Sequence, residues 1–218
     1  MTIAVFGATG MVGGRVAGEA RARGHRVLAL SRKPPLSDDP DMTPVAVDAG
    51  DPDAVREALT GSGADAVVLT VRTFPADREF LVGATRAVLD TAARLGVRVL
   101  VVGGAGALRS PGDRELLVAE NPAYVPDEYR AVARAGVAQL HLCQAHPAAD
   151  WVYLSPPAVL EPGTRTGRYR RGTDTLLIGA DGRSWISAED LAVAVLDELE
   201  RPGPDRHVTV VRENPRSA

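Results

Sequence analysis

Short runs of β-branched and aliphatic residues alternate along the chain with longer stretches whose apolar positions recur every three or four residues. The first run, Thr2-Ile3-Ala4-Val5-Phe6, passes through a glycine-rich turn into a helical pattern over 11–23 that Gly24 ends, a residue favoured just past a helix terminus. Strands are expected at 25–30 and 43–47, and Asp51-Pro52 supplies an N-cap and first position for a helix to 59. The stretch 66–71 is almost wholly apolar, as a strand covered on both faces of a parallel sheet requires. Phe80, Ala84, Ala87, Val88, Thr91 and Leu95 repeat at helical spacing within 76–95, Gly96 stops them, and a strand at 97–102 follows. Residues 109–126, broken by Pro111, Gly112, Pro122 and Pro126, read as an irregular substrate loop, then a helix over 127–145 and a strand over 151–154. The Pro-, Gly- and Arg-rich stretch 155–182 reads as a lid or small subdomain, with a hairpin around 175–178 and a turn at Asp181-Gly182. Ser187-Ala188-Glu189-Asp190 has a capping-box pattern for the last helix, and 207–211 forms a closing strand.

Strands and helices in this rhythm are βαβ units with right-handed crossovers, so the expected fold is α/β, a doubly wound parallel sheet of the Rossmann type. The expected organisation is one domain over 1–218, with 156–185 as the lid. Ligands of such sheets bind at the carboxyl ends of the strands, where the strand order reverses.

Composition narrows the class. With 45% apolar and 24% charged residues the chain is that of a soluble globular protein, and a net charge of −3 gives no electrostatic reason to expect nucleic acid or an acidic membrane. The sole cysteine, Cys143, permits no intrachain disulfide and reads as a small buried hydrophobe. The chain enters its first strand without a basic-plus-apolar leader, and no apolar run approaches spanning length; the expected location is the cytoplasm. His25, His141, His146 and His207 have no metal-ligand spacing, so no metal is expected.

The chemistry is concentrated in the first turn. In Gly7-Ala8-Thr9-Gly10-Met11-Val12-Gly13, Gly7 permits a tight turn, Gly10 a close approach of backbone to pyrophosphate, and Gly13 close packing of the new helix. The helix N-terminus then offers free N–H groups to the phosphates. At the tip of the second strand stand Ser31, Arg32 and Lys33, where an NAD-specific site would hold an acidic side chain for the ribose 2′-hydroxyl; a hydroxyl and two cations suit a 2′-phosphate, so NADP(H) is expected over NAD(H). The remaining cofactor candidates lie just past successive strands: Asp48 and Ala49, Thr70, Val71 and Arg72, Gly103, Gly104 and Ala105, and Pro156 and Pro157. Arg109, Arg165 and Arg168 are candidates for an anionic substrate, and Tyr124 and Tyr129 for a proton donor.

Gly-Ala-Thr-Gly-Met-Val-Gly at 7–13, Arg-Gly-His at 23–25, Val-Gly-Gly-Ala-Gly-Ala-Leu at 102–108, Asp-Trp at 150–151 and Ser-Pro-Pro at 155–157 resemble the NADH-flavin reductase-like group of atypical short-chain dehydrogenases. So do Glu-Pro-Gly-Thr-Arg-Thr-Gly-Arg-Tyr-Arg at 161–170, Ser-Trp-Ile-Ser at 184–187 and Leu-Asp-Glu-Leu-Glu at 196–200. The resemblance spans essentially the whole chain. It implies a nicotinamide cofactor and, by similarity to flavin and biliverdin-IXβ reductase, a planar conjugated acceptor. Two departures stand out. Ala107 occupies the place of a serine in the group's Gly-Gly-Ala-Gly-Ser-Leu motif, which removes hydroxyl chemistry there. No Tyr-x-x-x-Lys pair exists either: Glu128 follows Tyr124 by four, Ala133 follows Tyr129, and Pro157 follows Tyr153.

Three readings follow. The first is an NADPH-dependent reductase passing hydride to a flavin, quinone or similar conjugated small molecule, which needs stacking and water exclusion more than a dedicated acid. The second is a redox sensor that binds NADP(H) without turnover. The third is a non-redox isomerase or cyclase on the same fold. A monomer and a homodimer are both compatible with the sequence.

Overall fold

Strand β1 (Thr2–Phe6) is buried at all five residues, and its alternation divides the molecule into two layers. Ile3 and Val5 join a core shared with α1 (Met11–Ala22) and the last helix, whereas Ala4 and Phe6 join the core on the opposite face. In a computed structural model that describes residues 1–34 and 37–213, the chain continues through β2 (Arg26–Ser31), β3 (Met42–Ala46), α2 (Pro52–Leu59), β4 (Ala66–Leu69), α3 (Arg78–Leu95) and β5 (Arg98–Val102). There follow β6 (Arg109–Ser110), β7 (Asp113–Leu117), α4 (Arg130–Ala145), β8 (Trp151–Ser155), β9 (Val159–Glu161), β10 (Tyr169–Gly172), β11 (Trp185–Ser187), α5 (Ala188–Glu200) and β12 (His207–Arg212).

The main sheet has eight strands in the order β10-β12-β8-β5-β4-β1-β2-β3, all parallel except β10. Helices α1 and α5 pack together on one face, and α2, α3 and α4 on the other. The chain builds outward from β1 to β2 and β3, then returns to place β4 on the other side of β1, so the order reverses between β1 and β4.

Helix boundaries follow local chemistry. Asp51 accepts from the Asp53 and Ala54 N–H groups, Asp77 from Phe80 and Ser187 from Asp190, which fixes the starts of α2, α3 and α5. Gly96, at φ +68°, closes α3 in the left-handed conformation.

Two parts of the expected layout are corrected. Residues 109–126 are not irregular throughout: β6 and β7 pair antiparallel around Gly112, whose φ of +81° allows the turn, and one-turn 3-10 helices follow at 118–120 and 127–129. The hairpin expected around 175–178 does not form among the described residues. Instead Arg109 bridges Thr175, and Tyr169–Gly172 pairs with β12 as the outer strand. The charged sequence Tyr-Arg-Arg-Gly gives no alternating strand signal, yet arginines are well suited to an edge strand that must not recruit another chain.

Candidate functional site

The crevice at the point of strand reversal is built by a turn with no room for a Cβ at Gly7 or Gly13. Gly7 lies at φ +82° and donates its N–H to the Leu30 carbonyl at 2.9 Å, and the Gly10 N–H closes the turn onto the Gly7 carbonyl at 2.8 Å. A Cβ at Gly7 would stand 2.7 Å from Thr70 Oγ1, and a Cβ at Gly13 would stand 2.2 Å from the Gly7 carbonyl oxygen. Thr70, the first residue past β4, holds the turn from the other side by donating its hydroxyl to the Phe6 carbonyl at 2.7 Å. Gly10 has only the Gly7 carbonyl near its virtual Cβ, so its outer side is open. Helix α1 also has no side-chain cap and no acidic residue in its first turn, unlike α2, α3 and α5. Its first N–H groups and positive dipole end are thus left for an anion. Around this turn Ala8 is buried, Met11 and Val12 are half-buried, and Thr9 is exposed.

The tip of β2 carries an unusual polar group. Ser31 is 9% exposed and its Oγ, buried, has no hydrogen-bond partner. Arg32 and Lys33 beside it are exposed, and neither has an ion-pair partner among the described residues. Asp39 is far from this tip: it pairs with Arg21 and accepts from the Asp41 N–H just before β3, on the amino edge of the sheet. Past β3, Asp48 is exposed and accepts the Gly50 N–H at 2.9 Å, and Ala49 is buried.

Past β4, Val71 is half-buried and Arg72 exposed. Past β5, Gly103 sits on Tyr153, whose ring would lie 2.0 Å from a Cβ on Gly103, and Ala105 packs instead against the cluster of Leu108, Val118, Val125 and Leu176. Tyr153 is wholly buried. Its hydroxyl donates to the Gly136 carbonyl at 2.9 Å and lies 3.2 Å from Gln139 Oε1, while Gln139 Nε2 donates to Thr85. Burial raises its phenol well above the usual range, so this tyrosine is a strut between β8, α3 and α4. Ala107 is 5% exposed in the 3-10 turn after β5.

Pro156 and Pro157 are buried directly past β8. Below them Ser155 Oγ lies 3.0 Å from His207 Nε2, and the imidazole meets the Tyr153 ring edge-on at 5.5 Å. Burial pushes His207 down to about 4 against a weaker opposing pull from Asp174, so the ring is neutral at physiological pH. Thr209, in register with Ser155 on the adjacent strand, keeps a buried Oγ1 without a partner. This polar group was not foreseen. Its signal lay in the spacing of Ser155 and His207, which only the register of β8 on β12 brings together.

The arginine and tyrosine candidates separate. Arg109 lies on β6 with its backbone tied to Asp174 and Leu176 and its guanidinium without a carboxylate partner among the described residues. Arg165 makes two hydrogen bonds, of 2.8 and 2.9 Å, to Glu19 on α1, and the adjacent Thr166 and Gly167 bond to Asp190 on α5. That places Arg165 along the flank of α1 and α5, away from the crevice. Arg168 is exposed beside β10, three strands out from β5. Tyr124 is half-buried against Leu108, Val118, Val125 and Leu176, and Tyr129 is 53% exposed at the start of α4.

A doubly wound sheet whose reversal point holds a glycine turn and a helix start without a side-chain cap defines an NAD(P)-binding α/β protein of Rossmann type. More specifically, residues 7–202 match the model of the NAD(P)H-binding family, and the chain belongs to that family. It is 34% identical over 219 residues to the uncharacterized protein YwnB of Bacillus subtilis (strain 168), covering 98% of this chain and 99% of that one. It is 28% identical to a 3-diazoavenalumate denitrifying reductase of Streptomyces sp, over 92% of this chain and 72% of that one. Among solved structures, a proposed NADH-flavin reductase from Streptococcus pneumoniae TIGR4 superposes with a TM-score of 0.85 at 26% identity, covering 97% of this chain and 99% of that one. Among the described residues no helix is long and apolar enough to cross a membrane.

Proposed function

We propose that the protein is an NADPH-dependent reductase of a flavin, quinone or similar planar conjugated molecule in the cytoplasm. The observation that carries the cofactor choice is the orphaned, buried Ser31 Oγ flanked by Arg32 and Lys33 at the tip of β2. A buried hydroxyl without a partner is costly, and an oxygen-rich anion accepting from it and from two cations would remove that cost. The kinship with proteins named as reductases supports the chemistry.

In this reading the bound cofactor would supply a hydride, and the proton that completes the reduction, on a flavin ring nitrogen or a quinone oxygen, comes from solvent. The Gly7–Gly13 turn and the α1 N-terminus receive the pyrophosphate, with Arg72 beside it. Asp48 and Ala49 border the adenine side. Gly103, Gly104, Ala105, Pro156 and Pro157 wall the nicotinamide end, where buried prolines exclude water without offering a competing donor. Ala107 has no proton to give, so proximity and orientation carry the rate.

The test is calorimetric titration with NADPH and with NADH, on wild type and Arg32→Ala, followed by NADPH oxidation against a flavin, quinone and enone panel. NADPH is expected to bind more tightly than NADH, and Arg32→Ala to weaken NADPH about tenfold while leaving NADH within twofold, as loss of one exposed charge-assisted contact predicts. Equal weakening of both nucleotides removes the 2′-phosphate assignment. Failure of every acceptor to oxidise NADPH removes the reductase.

A further inference from the structure

Of the 25 lysine and arginine side chains in the sequence, 24 are arginine and one, Lys33, is lysine. A guanidinium fork matches a phosphate better than an ammonium does, and the chain uses that fork at every other basic position. The exception stands at the tip of β2. A lysine differs from an arginine in what it can react with: its amine can lose a proton and form an amide, whereas a guanidinium stays protonated. The amine of Met1, 3.4 Å from His25 Nδ1, lies at the opposite, amino edge of the sheet.

The backbone around Lys33 is anchored on both sides. The Leu30 carbonyl accepts the Gly7 N–H at 2.9 Å and the Ala8 N–H at 3.3 Å, and the Ser31 carbonyl accepts the Val47 N–H at 3.0 Å. The tip is thus tied to the glycine turn and to the exit of β3. Lys33 follows Ser31 by two residues, so their Cα atoms are at most about 7.6 Å apart. Ser31 is 9% exposed with an unpartnered Oγ, and Arg32 and Lys33 are exposed without an ion-pair partner among the described residues. An unmet buried hydroxyl beside two free cations is a donor set for one phosphate group. It does not distinguish a nucleotide's phosphate from one that carries a reactive acyl group.

We propose that Lys33 is a covalent modification site: an acyl phosphate seats its phosphate on the Ser31 hydroxyl and Arg32 and passes its acyl group to the Lys33 amine. This rests on the reading of the β2 tip as the 2′-phosphate subsite. The unprotonated amine attacks the acyl carbon, and the bond from that carbon to the phosphate oxygen breaks. Phosphate leaves with the electron pair, the nitrogen gives a proton to solvent, and nothing is oxidised or reduced. The product is a neutral amide, which removes one of the two charges facing a 2′-phosphate. Acylation therefore weakens NADPH and spares NADH. An arginine in this place would hold the phosphate and could not be switched.

The probe is acetyl phosphate, incubated with the full chain alone, with saturating NADPH and with inorganic phosphate; acetic anhydride, which has no phosphate to seat, is the reference reagent. Peptide mass spectrometry reads the sites and calorimetry the nucleotide affinities. The ratio of Lys33 to Met1 labelling is expected to be about tenfold higher with acetyl phosphate than with the anhydride, the gain of a seated reagent over a colliding one. Both inorganic phosphate and NADPH should abolish that excess. Acetylated protein is expected to bind NADPH about tenfold more weakly and NADH within twofold, the scale of one lost charge-assisted contact. Lys33→Gln should reproduce this without treatment, and in Lys33→Arg treatment should not move the affinity measured before it. Equal labelling ratios with the two reagents, or acetylation of Lys33 that leaves NADPH affinity unchanged, overturns the proposal. The untreated wild type separates the two ideas. Equal affinity for NADPH and NADH removes the 2′-phosphate subsite, whereas a preference for NADPH without excess labelling removes the acyl transfer alone.

Discussion

The flank formed by α1 and α5 and the mouth at the carboxyl edge treat charge in opposite ways. On the flank every long cation has an acid. Arg23 reaches Glu19, Asp197 and Glu200 at 2.8 Å each, Arg165 takes the other face of Glu19, Arg15 takes Glu189, and His25 takes Glu200. Glu19 is held down to about 2, first by its hydrogen bonds from Arg165, against the opposing cost of burial. At the mouth, Arg32, Lys33, Arg72 and Arg109 have no carboxylate among the described residues, a buried serine hydroxyl has no partner, and α1 has no side-chain cap. Satisfied charge welds two helices and the 163–169 segment together; unsatisfied charge and open N–H groups are what a polyanion needs. An arginine in a glycine-rich loop is therefore no guide to a ligand until its partner is known.

The sharpest way to break this contrast is Arg23→Ala. The substitution leaves Glu19, Asp197 and Glu200 gathered without their shared cation. A cost of about 3–4 kcal/mol in denaturant unfolding is expected, the scale of removing one partner from a largely buried ionic cluster. NADPH affinity should remain within twofold. A loss below about 1 kcal/mol would mean the network is an ordinary surface array, and a large loss of nucleotide affinity would mean flank and mouth are one site.

Gly13→Ala probes the other side. Its Cβ would meet the Gly7 carbonyl at 2.2 Å and Thr70 Oγ1 at 2.6 Å, so the turn must open at the point proposed to meet the pyrophosphate. Calorimetry is expected to show about a hundredfold loss in affinity for both NADPH and NADH, or about 2.8 kcal/mol, unlike the selective loss expected for Arg32→Ala. Unchanged binding would place the nucleotide elsewhere.

These two regions also differ in how far the sequence disclosed them. The mouth was legible because its parts are local: a strand, glycines at fixed spacing, and a helix start can be read within a dozen residues, as can Asp51 and Ser187 at their caps. The flank was not. Arg165 is 146 residues from Glu19, and Thr166 meets Asp190 only because β10 turns back antiparallel on β12. Tyr169–Gly172 hid as a strand because its charges mark an edge, not an amphipathic face. His207 and Ser155, 52 residues apart, needed the register of two parallel strands to become neighbours.

That pair gives the smallest of these effects and the one that orders flank and mouth by pH. Burial lowers His207 from its ordinary 6.5 to about 4. Below pH 6.5 the unfolded chain takes up a proton that the folded one refuses, so stability is complete above 6.5 and falls progressively as pH drops towards 4. Partial exposure limits the expected loss to about 2 kcal/mol, less than the full shift would give. Glu19 acts lower. Its carboxylate is stabilised by folding above pH 4.5, and that contribution drains away only between 4.5 and about 2. Unfolding free energies measured from pH 8 to 3.5 should therefore fall first through the mouth-side window, and His207→Gln should flatten the stretch between 6.5 and 4.5 while leaving the steeper fall below 4.5 in place. If the variant keeps the wild-type slope above 4.5, His207 is not the group responding to acid there, and the wall beneath Pro156 and Pro157 is no more sensitive to protons than the flank.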